Sequence, residues 1–140
     1  MTENISALNS TSNPTHPCPF CTLPDERVIA HSPLALAVRD GFPVSPGHTL
    51  IIPRRHVGSF FDTRSDERSD LLALLERAKA QLISEFQPDG FNIGINDGAA
   101  AGQMVAHLHI HLIPRYLGDQ SDPRGGVRWI LPEKACYWDG

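Results

Sequence analysis

Histidines stand at alternate positions in His107-Leu108-His109-Ile110-His111-Leu112-Ile113, with apolar residues between them. Period-two alternation predicts a strand with its imidazoles on one face, roughly 6–7 Å apart at ~3.3 Å of rise per residue. An imidazole near neutral pH can act as nucleophile, proton carrier or metal ligand. Three readings follow. The row can be a set of solvated or hydrogen-bonded histidines on a sheet. It can be a catalytic metal site, since His-x-His is a common ligand pair. That needs a third ligand, an open position and, as a rule, a nearby acid to activate water. No Asp or Glu lies between Leu108 and Arg115, which counts against it. In the third reading one imidazole is a nucleophile, and its neighbours bind phosphoryl oxygens and the leaving group.

The flanking residues favour the third reading. A Gly/Ala-rich loop, DGAAAGQ, leads into the histidines, and Gly102 lets backbone N–H groups approach an anion closely. Asn96-Asp97-Gly98 closes the preceding segment and brings an amide to the same end. A second constellation is Cys18-Pro19-Phe20-Cys21, which reads as a zinc half-site, a redox pair or two unrelated thiols. No thioredoxin-like βαβ pattern follows it. Cys136 reads as a small packing residue. Arg54, Arg55 and Arg115 are candidates either for attracting polyphosphate or for a solvated surface.

The elements that must position these groups are few. Residues 34–39 (LALAVR), 49–53 (TLIIP) and 91–96 (FNIGIN) read as strands beside the histidine strand. The stretch GFPVSPG turns the chain between the first two. Residues 65–86 read as a long helix, with Leu71, Leu75, Ala78, Leu82 and Phe86 on one stripe and Ser65 as N-cap. Pro88 and Gly90 stop it. Residues 127–131 read as one further short strand. Consecutive strands without βαβ alternation favour an antiparallel α+β sheet, against which the helix stripe packs.

Composition narrows the function. With 140 residues, a net charge of −4 and a fifth of the chain charged, one domain over 18–140 is expected, with no broad basic face for a nucleic-acid polymer. No run approaches the ~20 apolar residues of a membrane span. Residues 1–17, rich in Ser, Thr, Asn and Pro, read as a flexible lead-in lacking the basic and apolar regions of a secretory signal. Three cysteines, an odd number, suit a reduced cytoplasmic protein.

The segment GQMVAHLHIHLIPR resembles the signature of the histidine-triad (HIT) family, and RDGFPVSPGHTLIIPRRHV is similar to that family's Pro-Gly-His turn and Ile-Pro strand. The likeness runs from about Cys18 to Arg115. It implies an α+β fold with a five-stranded antiparallel sheet, one long and one short helix, a homodimer, and hydrolysis or transfer at the α-phosphate of a nucleotide. His109 then matches the nucleophile that forms a nucleotidyl-histidine. His111 and His48 match residues that contact phosphates or support the nucleophile. Gly102, Gln103, Met104 and Val105 match the phosphate-binding loop, Asn96 a residue at the phosphate or leaving-group end, and Asp40 the ribose-binding position. Phe20 and Phe42 are candidates for base contact. Some branches place a structural zinc on a Cys-x-x-Cys, a histidine after the Ile-Pro strand and the first motif histidine. The matching residues are Cys18, Cys21, His56 and His107, and no catalytic metal is implied. One departure stands out: the best-known branches carry Ser or Thr where this chain has Met104, so a hydroxyl donor to the leaving group is missing.

Overall fold

The computed structural model describes residues 18–138, so the lead-in expected over 1–17 lies outside the described residues. Its sheet has five strands: β1 (Val28–His31), β2 (Ala35–Arg39), β3 (Thr49–Pro53), β4 (Gly90–Ile95) and β5 (Ile110–Arg115). Their order is β1-β2-β3-β5-β4, and every neighbouring pair is antiparallel. The long helix α1 (Ser65–Phe86) spans the residues its hydrophobic stripe predicts. Its N-cap is Arg64 rather than Ser65: the Arg64 N–H donates to Glu67 Oε1 at 2.8 Å, the bond from the N-cap backbone to the N3 side chain in a capping box. No described helix is long and apolar enough to cross a membrane.

Alternation along the strands separates two layers of core. Ala35, Ala37, Ile51, Leu108, Ile110 and Leu112 face α1, where Leu71, Leu74, Ala78 and Leu82 are buried against them. Leu74 joins the stripe, while Phe86 at its end is 37 % exposed. The opposite face carries Leu36, Val38, Leu50 and Ile52, covered by Leu23 with Phe20 and Val28 at its margin. Each fully buried Leu or Ile contributes about 1.5–3 kcal/mol, so the central strand β3, buried at all five residues, is the best anchored. His111 lies on this second face, since Leu50 is its partner across β3 and Gly94 its partner across β4.

Two expectations about strands are corrected. The histidine strand begins at Ile110, not His107, because β4 supplies no partner beyond Ile95. The Leu108 N–H instead donates to Val57 O at 2.7 Å. Residues 127–131 are not a strand. Gly125 and Gly126, at φ 94° and 48°, turn the chain into a 3-10 helix over Gly126–Ile130, followed by the short helix α2 (Pro132–Ala135). Backbone bonds from Arg128 N–H to Gly125 O and from Leu131 N–H to Arg128 O hold it. Within this terminal segment the Trp129 indole N–H donates to Arg124 O, and the Arg124 guanidinium lies 4.6 Å from the Trp138 ring. A Cβ on Gly126 would come within 3.2 Å of Asn92 Nδ2, so the segment abuts the edge strand β4.

Candidate active site

The turn from β2 into β3 presents the first catalytic candidate. Gly47, at φ +88°, lets the backbone reverse immediately before His48. The His48 side chain is then 3 % exposed and its Nδ1 accepts the Val44 N–H at 3.1 Å. A neutral imidazole that accepts at Nδ1 carries its proton on Nε2. His48 Nε2 lies 3.0 Å from His111 Nδ1, so the proton is donated there, and His111 in turn keeps its own proton on Nε2. Burial lowers the pKa of both imidazoles, at His48 against the opposing pull of Asp40, which holds the chain of neutral tautomers in place.

His109 is fixed in the complementary way. Its Nδ1–H donates to the main-chain oxygen of His107 at 2.8 Å, which leaves the Nε2 lone pair available. The ring is half-buried and belongs to neither cluster of candidate metal ligands. It stands 5.2 Å from the His111 ring and 5.2 Å from the Phe20 ring, centroid to centroid.

His107 differs from its neighbours in being fully buried, with Nε2–H donating to Pro53 O at 2.8 Å. Burial pushes its pKa down to about 4, so the Nδ1 lone pair is free at neutral pH. That nitrogen lies 3.4 Å from Cys18 Sγ, 3.6 Å from Cys21 Sγ and 3.2 Å from His56 Nδ1, and Cys21 Sγ is 3.1 Å from His56 Nδ1. A tetrahedral ion bonded at about 2.3 Å to sulfur and about 2.0–2.1 Å to nitrogen spaces its ligands roughly 3.3–3.8 Å apart. The donor set fits zinc with no open position, the four distances lying within that range or up to about 0.2 Å inside it, and thiolates with neutral imidazoles are the chemistry zinc prefers. Asp40, His48 and His111 also converge, with Asp40 Oδ2 3.4 Å from His48 Nε2, so an acid does reach the histidines in space. There the proton on His48 Nε2 occupies the position a metal would need.

The remaining candidates divide. Asp40 Oδ1 accepts the Phe42 N–H at 2.8 Å, so this carboxylate both closes the turn and faces His48. Gln103 is engaged inside its own loop: Oε1 accepts the Gly98 N–H at 2.8 Å, and Nε2 donates to Gly58 O and Val105 O. Gly98 and Gly102, at φ +96° and +92°, shape that loop. Met104 is 96 % exposed, and Asn96 is half-buried directly after β4. Phe20 packs beside His109, whereas Phe42 is 90 % exposed. The arginines serve the fold. Arg54 is buried and donates to Ser32 O, Arg55 grips Glu67, and Arg115 grips Asp119 and Asn92. Cys136 is exposed rather than packed, because α2 ends just before it. Asp97, Gly58 and Ser59 contribute bonds to this site that no local pattern announced.

The family model of the HIT domain matches residues 23–118, more than half of the chain. The chain belongs to the HIT family. It is 37 % identical over 117 residues to the AP-4-A phosphorylase of Mycobacterium tuberculosis, covering 79 % of this chain and 59 % of that protein. It is 36 % identical over 96 residues to the asymmetrical bis(5'-nucleosyl)-tetraphosphatase of Schizosaccharomyces pombe, covering 69 % and 53 %. This HIT chain thus spans little more than half the length of either relative. Among solved structures it resembles a Zn-bound histidine triad family protein from Mycobacterium smegmatis. The TM-score is 0.61 at 32 % identity, covering 77 % of this chain and 83 % of that one. The two named relatives are thus a phosphorylase and a tetraphosphatase acting on dinucleoside polyphosphates by name.

Proposed function

We propose that this protein cleaves a nucleoside polyphosphate or nucleotide conjugate at the α-phosphate through a nucleotidyl intermediate on His109. One observation carries the reading: His109 Nδ1–H is tied to His107 O, so Nε2 holds a lone pair without an external base. That lone pair attacks the α-phosphorus, a P–N bond forms, and the P–O bond to the leaving group breaks. Water then attacks the same phosphorus and gives up a proton to bulk solvent, the P–N bond breaks, and His109 returns to its starting tautomer with its Nδ1 proton kept throughout. The His111 Nε2–H, backed by His48, donates to the phosphoryl oxygens as their charge redistributes. Backbone N–H groups at Met104 and Val105, which follow the internally bonded Ala101–Gln103 donors, cradle the same oxygens, and Asp40 accepts from ribose hydroxyls. Cys18, Cys21, His56 and His107 hold a structural zinc, which ties the N-terminal segment to the sheet when bound.

Likeness to a phosphorylase supports a second acceptor for the same intermediate, inorganic phosphate in place of water. The test is a labelled adenylyl substrate quenched during turnover. Protein-bound label is expected from the native chain and none from His109→Ala. A His109→Ala protein that retains label and turnover refutes the assignment. Repeating turnover in phosphate-containing and phosphate-free buffer separates the two acceptors.

A further inference from the structure

The loop that approaches an anion is attached at both ends to the residues that hold the metal. His107 follows it after Ala106, and its carbonyl also orients His109. The segment after His56 is bonded to the loop and to the residues that flank it on either side. Val57 O accepts the Leu108 N–H, and Gly58 O accepts from Gln103 Nε2 at 2.9 Å. Ser59 Oγ donates to Asp97 Oδ2 at 2.9 Å, and the Phe60 N–H donates to the same oxygen at 3.2 Å. Gln103 closes the loop on itself through Gly98 and Val105. A side chain with both amide groups engaged in this way shapes the loop, and the Ala101, Gly102 and Gln103 N–H groups close it further by donating to Gly98 O and Ala99 O.

We infer that Asp97 and Gln103 are positioning residues that lock the 98–105 loop to the metal-holding segment His56–Phe60, so that metal occupancy and nucleotide binding reinforce one another. This rests on the reading of the loop as a phosphate site and of the cysteine–histidine cluster as a zinc site. The physical reason is shared order. Four ligands fix His56 and His107, the bonds from Val57 to Phe60 transmit that order to the loop, and a nucleotide then meets a cradle already formed. Linkage demands reciprocity: whatever factor zinc adds to nucleotide affinity, the nucleotide adds to zinc affinity.

The experiment uses the full zinc-loaded chain and AMP as the probe, with a chromophoric chelator competing for the metal. Calorimetry first fixes AMP occupancy, and the zinc equilibrium is then read with and without AMP at matched saturation. In the native protein AMP is expected to tighten zinc retention by at least about fivefold, the lower end of ordinary coupling. In Asp97→Ala the factor falls towards one, and in Ser59→Ala, which keeps the Phe60 N–H bond, it is intermediate. Protection that persists unchanged in Asp97→Ala and Ser59→Ala overturns the inference, as does its absence in a native protein that binds AMP. A native chain that binds no AMP overturns instead the phosphate-site reading, and one that retains no zinc overturns the metal assignment.

Discussion

Replacing Gly47 with alanine tests whether the turn before His48 is as constrained as its geometry implies. At φ +88° an L-residue places its Cβ against its own backbone, which costs about 1–2 kcal/mol. The added methyl would also lie 2.9 Å from Leu82 Cδ2, 3.2 Å from Phe86 Cδ2 and 3.3 Å from Pro114 Cγ. Phe86 is partly exposed and can yield, but Leu82 is fully buried in the helix face and cannot. Overpacking of that kind adds about 1–3 kcal/mol, giving a loss of about 2–5 kcal/mol. The assay is urea denaturation with zinc present, followed by the α1 helix signal, where such a loss lowers the midpoint by about 1–2.5 M at a slope of about 2 kcal/mol per molar. Gly41→Ala is the internal comparison. Its Cβ would meet only Arg27 Nη2 at 4.0 Å and its φ is ordinary, so stability is unchanged or rises by up to about 1 kcal/mol. Gly47→Ala within about 0.5 kcal/mol of the native protein, or the same loss at both positions, refutes the reasoning.

Glu67 is 1 % exposed and receives both the Nε and Nη2 of Arg55. Glu67→Gln should cost about 2–3 kcal/mol, at or below the low end for a broken buried pair because Arg55 is half open to water. Its hydrogen bond to Arg55 holds the Glu67 carboxyl below the usual range. The stabilisation is therefore present at neutral pH, is lost as pH falls below about 4.5 through the folded value, and should vanish from the pH profile of Glu67→Gln. At His48 and His111 burial depresses the pKa, so the unfolded chain takes up protons first and stability falls as pH drops below about 6.5. Asp40 pulls both values upward, so Asp40→Asn should move the acid limb of turnover to lower pH, and a shift to higher pH would contradict the relay. Stripping zinc should lower the melting temperature of the native chain, while Cys18→Ser should abolish stoichiometric zinc in elemental analysis.

Long, strongly patterned segments were legible from residues alone. The 22 residues of α1 carry an uninterrupted helical stripe between a charged start and a Pro-Gly stop, and β3 coincides with TLIIP. β1 escaped notice because four residues with one buried side chain give too little alternation to read. The histidine motif was legible as chemistry but not as a row. His107 leaves the strand to meet cysteines far away in the chain, and no spacing rule links residues 21, 56 and 107. Arg54 looked like a surface cation because charge is visible in a sequence and burial is not. The role of Asp97 is hidden for the same reason: its partners, Ser59 and Phe60, are set by tertiary folding.

Trp129 and Trp138 are the only two tryptophans of the chain, and both sit in the terminal segment beside β4, away from α1. Intrinsic fluorescence therefore reports detachment of that segment from the rim of the sheet, with the guanidinium of Arg124 close enough to tune the emission. A melt followed by emission and one followed by helical circular dichroism watch different parts of this molecule. Any gap between the two curves measures how independently the rim lets go.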